Sequence, residues 1–194
     1  MQESRENRLE KHNRVTEVQG IKPEHVVKAS NGNIYIKNAR VYSGSKDNPE
    51  GRVSVETGVN TRNVIIKNVK VSSRNNSSSS RDSDNAVLSV KAKENTNISI
   101  KNSNIKSHNV DLKSFSSNEK VCAGALCIQA NENSNILVKN TKVSTSSSDV
   151  TISRNNSSKK NCAGALCIQT EDSSVDVINT TVTSYGSNDF EILD

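Results

Sequence analysis

The chain has no tryptophan, two phenylalanines and three tyrosines, and only 31% of its 194 residues are apolar. Aromatic rings supply much of the buried area of compact cores, so the shortage argues against a globular sphere, and equally against a deep sugar-processing cleft. Taken alone, so apolar-poor a composition fits disorder. No run approaches the roughly 20 apolar residues of a membrane span, and no apolar stretch follows Met1 as in a secretory leader. The expectation is a soluble chain without membrane insertion. The three histidines, His12, His25 and His108, are scattered and form neither a triad nor a metal-ligand spacing. Anionic character is also lacking: the formal net charge is +5, which admits an anionic partner but is ordinary for solubility.

Repetition is what the chain does have. Asn33-Ile-Tyr-Ile-Lys-Asn-Ala-Arg-Val41 returns as Asn63-Val-Ile-Ile-Lys-Asn-Val-Lys-Val71, Asn97-Ile-Ser-Ile-Lys-Asn-Ser-Asn-Ile105, Asn135-Ile-Leu-Val-Lys-Asn-Thr-Lys-Val143 and Ser174-Val-Asp-Val-Ile-Asn-Thr-Thr-Val182, in steps of 30, 34, 38 and 39 residues. Such a period marks stacked units that each contact only their neighbours, so a thin apolar stripe per unit suffices and disorder is overruled. Within each phrase the alternation Ile-x-Ile is that of a strand with one face inward. The following Asn marks a corner, and the later Val or Ile a second strand. A third series is Val53-Ser-Val55, Leu88-Ser-Val90, Leu126-Cys-Ile128 and Leu166-Cys-Ile168. A fourth, confined to later units, is expected at Val110-Asp-Leu112, Val150-Thr-Ile152 and Phe190-Glu-Ile192.

The polar stretches Ser72 to Asn85, Ser114 to Lys120 and Ser153 to Asn161 read as projecting loops. Residues 1 to about 19, with Leu9, Val15 and Val18 among many charges, read either as a short solvated helix ended near Gly20 and Pro23 or as a frayed tail. This divides the chain into a charged N-terminal segment or cap over 1–25, a candidate for oligomer contacts, and a solenoid over 26–194.

Three short strands per coil with an Asn recurring at one corner resemble the right-handed parallel β-helix of the pectate-lyase-like superfamily over about residues 26 to 193. The resemblance implies an all-β solenoid of about five coils in which Asn38, Asn68, Asn102, Asn140 and Asn179 are stacked corner asparagines. It says little of function, since that architecture hosts lyases, hydrolases, tailspikes and adhesins; the last two suggest an extracellular or virion-surface setting.

Equivalent strands stack about 4.7–4.9 Å apart. This register lines up Lys37, Lys67, Lys101 and Lys139, broken by Ile178, and three positions on Arg40, Lys70, Asn104 and Lys142. The seven cations make a ribbon suited to an acidic glycan or other polyanion. The competing reading is a solvated lysine face that keeps strands soluble. Nucleic acid fits less well, because aromatic platforms for single strands are missing.

An acidic column, Glu94, Glu132 and Glu171 with Asp172, is the counterpart expected of a carbohydrate-active enzyme. It lies at a corner without a second acidic layer, so the balance is against catalysis. Cys122, Cys127, Cys162 and Cys167 lie in two copies of Cys-Ala-Gly-Ala-Leu-Cys, 40 residues apart. Packed thiols are the expectation. A bridge within each copy, turning at Gly124 or Gly164, and a four-thiolate Zn²⁺ site are the alternatives. No metal or cofactor is expected. The functional expectation is non-catalytic recognition of a glycan or polyanion, with a lyase or hydrolase and a structural spacer as the other readings.

Overall fold

The structure, a computed structural model, describes residues 15–21, 26–43, 51–81, 85–116, 121–146, 150–154, 162–184 and 190–193. The strands in chain order are β1 (Val15–Ile21), β2 (Val26–Tyr42), β3 (Val53–Lys67), β4 (Lys70–Arg81), β5 (Asn85–Ala92), β6 (Asn97–Lys101), β7 (Asn104–Ser116) and β8 (Cys122–Ala130). They continue with β9 (Asn135–Lys139), β10 (Lys142–Ser146), β11 (Val150–Arg154), β12 (Cys162–Ala163), β13 (Leu166–Gln169), β14 (Ser174–Ile178), β15 (Thr181–Ser184) and β16 (Phe190–Leu193). Their pairings are parallel and link each strand to its counterpart one repeat away. The chain is thus a parallel β-helix. No helix among the described residues is long and apolar enough to cross a membrane.

Three walls surround the core. The first stacks β1, the middle of β2, the end of β3, β6, β9 and β14, with Ile36, Ile66, Ile100, Val138 and Val177 in one register column. The second stacks the end of β2, β4, β7, β10 and β15 on the column Val41, Val71, Ile105, Val143 and Val182. The third stacks the starts of β2 and β3 with β5, β8, β13 and β16 on Val27, Val55, Val90, Ile128, Ile168 and Ile192. Of these, Val55, Ile66, Val71, Val90, Ile100, Ile105, Ile128, Val138, Val143 and Ile168 have no exposed surface. Burying each branched side chain is worth about 1.5–3 kcal/mol, so one narrow stripe per coil, shared above and below, holds a chain of this composition.

The corners explain the Asn, Ser and Thr content. Asn38, Asn68, Asn102, Asn140 and Asn179 have φ between 47° and 56°, the left-handed conformation that Asn tolerates better than most residues. Their amides stack: Asn68 Nδ2 donates to Asn38 Oδ1 at 3.1 Å and Asn140 Nδ2 to Asn102 Oδ1 at 3.3 Å. A second ladder runs along the start of the repeat phrase, where Asn63, Asn97 and Asn135 each donate to the Asn one coil earlier at 2.9–3.2 Å. Buried hydroxyls finish the turns. Ser103 Oγ donates to Lys101 O at 2.9 Å while accepting from the amide of Val69, and Thr96 Oγ1 donates to Lys93 O at 2.8 Å. Corner backbone groups that would otherwise be buried unpaired are thereby satisfied.

Four expectations need correction. Val15 to Ile21 form β1, a strand paired with β2 from Asn33 to Arg40, not the end of a helix; β-branched Val15, Thr16 and Val18 favour a strand once an open sheet edge is available, and residues 1–14 lie outside the described part. Ser72 to Arg81 is not a loop, because β4 pairs with β7 as far as Arg81 opposite Phe115. Phe190-Glu-Ile192 belongs to the third wall, opposite Leu166 to Ile168, whereas Val150-Thr-Ile152 does pair with β7 but two residues on from the expected register, with Val150 opposite Leu112 instead of Val110. The cysteines are bridged rather than packed as thiols: Cys122 to Cys127 with Cα atoms 6.1 Å apart, and Cys162 to Cys167 at 5.9 Å. An extended chain would carry a five-residue separation to about 16 Å. The backbone therefore folds back, and the turns nest so closely that a Cβ on Gly124 would collide with the Gly164 carbonyl oxygen. The folded-back segments cover the outer face of the third wall. Cys127 and Cys167 do share the column of Ser54 and Ser89, as expected, but they are fully buried there.

Candidate functional site

The outward positions of the first two walls carry the charge. Lys37, Lys67, Lys101 and Lys139 are consecutive register partners, and Ile178, 41% exposed, ends the column. Three strand spacings span about 14 Å. The backbone fixes this alignment at its end: the amides of Asn68 and Asn102 donate at 3.1 Å to the carbonyls of Lys101 and Lys139, one coil on. Across the asparagine corner Arg40, Lys70, Asn104 and Lys142 form the parallel column, closed by Thr181. All seven cations of the expected ribbon are thus brought together on the two sides of one corner. Lys67, Arg40, Lys70 and Lys142 are exposed, and Lys37, Lys101 and Lys139 half-buried.

Among the described residues none of the seven makes an ion pair; Lys28 with Glu56, at 2.8 Å, pairs on the third wall. Lys37 Nζ lies 4.6 Å from the centroid of the Tyr35 ring, an arrangement in which the ring face attracts the ammonium. Like charges stacked at strand spacing repel, and here no carboxylate is interleaved to relieve them.

The structure adds residues that the repeat phrase does not include. One further outward column on the second wall is Tyr42, Ser72, Lys106 and Ser144, and the next is Arg74, His108 and Ser146. His108 Nδ1 lies 2.8 Å from Ser146 Oγ. Carrying the period-2 alternation two residues beyond Val71 and Ile105 would have found them, since Ser73 and Ser107 take the buried positions in between. Near the start of the ribbon a cavity of about 530 Å³ is lined by Arg40, Val41, Tyr42, Ser43, Lys70, Ser72 and Arg74. Three cations and a half-exposed tyrosine ring meet there, with no carboxylate in the lining among the described residues. Its floor is held by the Ser43 amide donating to Ser72 O at 3.1 Å and by Ser43 Oγ accepting from the Arg74 amide at 3.0 Å.

The acidic column has a different character. Glu94, Glu132 and Glu171 are exposed beside the left-handed corner residues Asn95, Asn133 and Asp172. Cavities of about 340 and 140 Å³ on the neighbouring third wall are lined by residues such as Lys91, Gln129 and Gln169 and include none of these acids. The carboxylates are spread along a solvated ridge rather than paired across a groove.

No protein-family model, no curated protein and no solved structure matches the chain.

Proposed function

We propose that this chain is a non-catalytic recognition solenoid of the pectate-lyase-like kind, adhesin-like or virion-like, whose two basic columns hold an acidic polysaccharide lying along the helix axis. The observation that carries the reading is the alignment of seven cations on either side of one rigid corner, without an ion-pair partner among the described residues. A flexible lysine face kept only for solubility needs no such register. A polyanion laid along the columns places its charges against both and removes their mutual repulsion. The Arg40 guanidinium beside Lys70 in the cavity suits the end of the ribbon to a carboxylate or sulfate, because guanidinium groups form forked hydrogen bonds to planar or multi-oxygen anions. A nucleic acid strand is the poorer fit, since Tyr35 and Tyr42 lie in the same coil and among the described residues no series of rings follows the columns. The exposed acidic ridge gives the lyase or hydrolase reading no support.

The test is binding of the full chain to a sulfated polysaccharide, a polyuronate and a neutral polysaccharide over a range of salt. The proposal expects both acidic polymers to bind, the neutral one not to, and affinity to fall steeply as ionic strength rises past about 0.1 M, where screening acts within about 10 Å. Absence of binding to either acidic polymer at low salt would leave the lysines a solubility device and return the solenoid to a spacer.

A further inference from the structure

The sulfur cluster between the outer face of the third wall and the folded-back segments that cover it is independent of the basic ribbon. The Sγ atoms of Cys122, Cys162 and Cys167 lie within 4.8 Å of one another, and Cys127 is bonded to Cys122. Register stacks Cys122 on Cys162 and Cys127 on Cys167, so the four side chains come from two adjacent coils, with Cys127 just outside the three mutually close sulfurs. All four are fully buried and form their own apolar cluster with Ala86. Each pair has the spacing Cys-x₄-Cys around a glycine turn, within the range by which short loops present two thiolates to one ion. Four thiolates around Zn²⁺ at about 2.3 Å stand about 3.8 Å apart, so opening both bridges and turning Cys127 toward the other three sulfurs would be required to complete a tetrahedron.

We infer that Cys122, Cys127, Cys162 and Cys167 are a redox-dependent zinc site: bridged within each coil when oxidised, and four-coordinate around one Zn²⁺ when reduced. In the conversion each disulfide accepts two electrons and two protons from a dithiol reductant, whose own sulfurs become joined, and leaves two thiols. Zn²⁺ then displaces the four thiol protons and forms four Zn–S bonds. Soft thiolate donors in a closed, dry setting select Zn²⁺ over Mg²⁺ or Ca²⁺, and proton release makes loading weaken as pH falls. The oxidised form ties each coil to itself; the zinc form ties the two coils to each other. The same four residues therefore cross-link the outer face of the third wall in either redox setting, and a bare thiol state is the least stable of the three.

The test uses the full chain, reduced with a phosphine, freed of reductant and titrated anaerobically with Co²⁺ as the spectroscopic probe. The expected result is one Co²⁺ per chain with the visible bands and sulfur-to-metal charge transfer of a tetrahedral tetrathiolate, displacement by Zn²⁺, and a melting temperature of the reduced chain that rises on adding one equivalent of Zn²⁺. The oxidised chain should show none of these. Cys167→Ser and, separately, Cys122→Ser should each weaken Co²⁺ binding at least about ten-fold and alter the spectrum. Should either variant misfold, the comparison of reduced with oxidised wild type still decides. No cobalt spectrum in the reduced chain, a spectrum with two thiolates only, or equal metal uptake by the oxidised chain would overturn the assignment.

Discussion

Ile100 sits at the middle of the first wall with no exposed surface, stacked between Ile66 and Val138. Replacing it by alanine removes three carbon atoms from a stripe that serves the coils on both sides. At about 0.8 kcal/mol per methylene the transfer loss is about 2.4 kcal/mol. The cavity term adds to it, because neighbouring strands locked in ladder register can close the gap only in part, bringing the total to about 3–4 kcal/mol. With a urea dependence of about 2 kcal/mol per molar, the unfolding midpoint should fall by about 1.5–2 M. Ile100→Asp, which leaves a charge without a partner in that interior, should fail to fold or lose more. One residue on, half-buried Lys101 points outward, and Lys101→Glu should change stability by no more than about 0.5 kcal/mol. Equilibrium urea unfolding followed by circular dichroism reads all three. An unchanged midpoint for Ile100→Ala, or a Lys101→Glu variant as damaged as it, would refute the inward and outward assignment on which both core and ribbon rest.

Asn102 holds φ at 50° and accepts from the Asn140 amide; Asn102→Ala should cost about 1–2 kcal/mol, and Asn102→Gly, which keeps the backbone freedom but loses the ladder, less than the alanine. Equal melting temperatures for the two variants would mean that the left-handed corner contributes nothing. Reducing the two bridges without metal should lower the melting temperature, since each closes a short loop worth about 2 kcal/mol, and the non-reduced chain should weigh four hydrogens less than the reduced one. A scan indifferent to reductant would argue that the packed turns, not the bonds, hold Cys122 on Cys127 and Cys162 on Cys167.

The first wall and its register were legible in the sequence because the phrase beginning at Asn33 repeats both its alternation and its Asn, and a period-2 pattern plus an αL corner leaves one way to stack. The lysine columns followed from the same register. Residues between phrases were less legible for a physical reason: Ser77 to Ser80 carry no apolar alternation, and their strand pairing is backbone hydrogen bonding to a neighbour that the sequence of β4 does not encode. Val15 and Val18 misled through charged neighbours, since a strand docking on an open sheet edge needs only a short stretch of branched residues. The bridges could not be chosen over stacked thiols from spacing alone, because the choice depends on whether the chain doubles back at Gly124. Tyr42, Arg74 and Lys106 lie beyond the repeat phrase, which ends at Val41, Val71 and Ile105, while the wall continues past those residues.

The basic columns are tested most directly by charge reversal in the middle of the first. Lys67→Glu with Lys101→Glu puts two negative charges between Lys37 and Lys139 at positions where the fold should tolerate them. Arg62→Glu with Lys93→Glu, at exposed positions outside the columns, makes the same change in net charge. Binding of both double variants and the parent to a sulfated polysaccharide at fixed low salt, with circular dichroism to confirm the fold, gives the comparison. The column variant should lose binding and the control keep most of it. Equal loss in both would show that net charge alone attracts the polymer and that the columns are not a site.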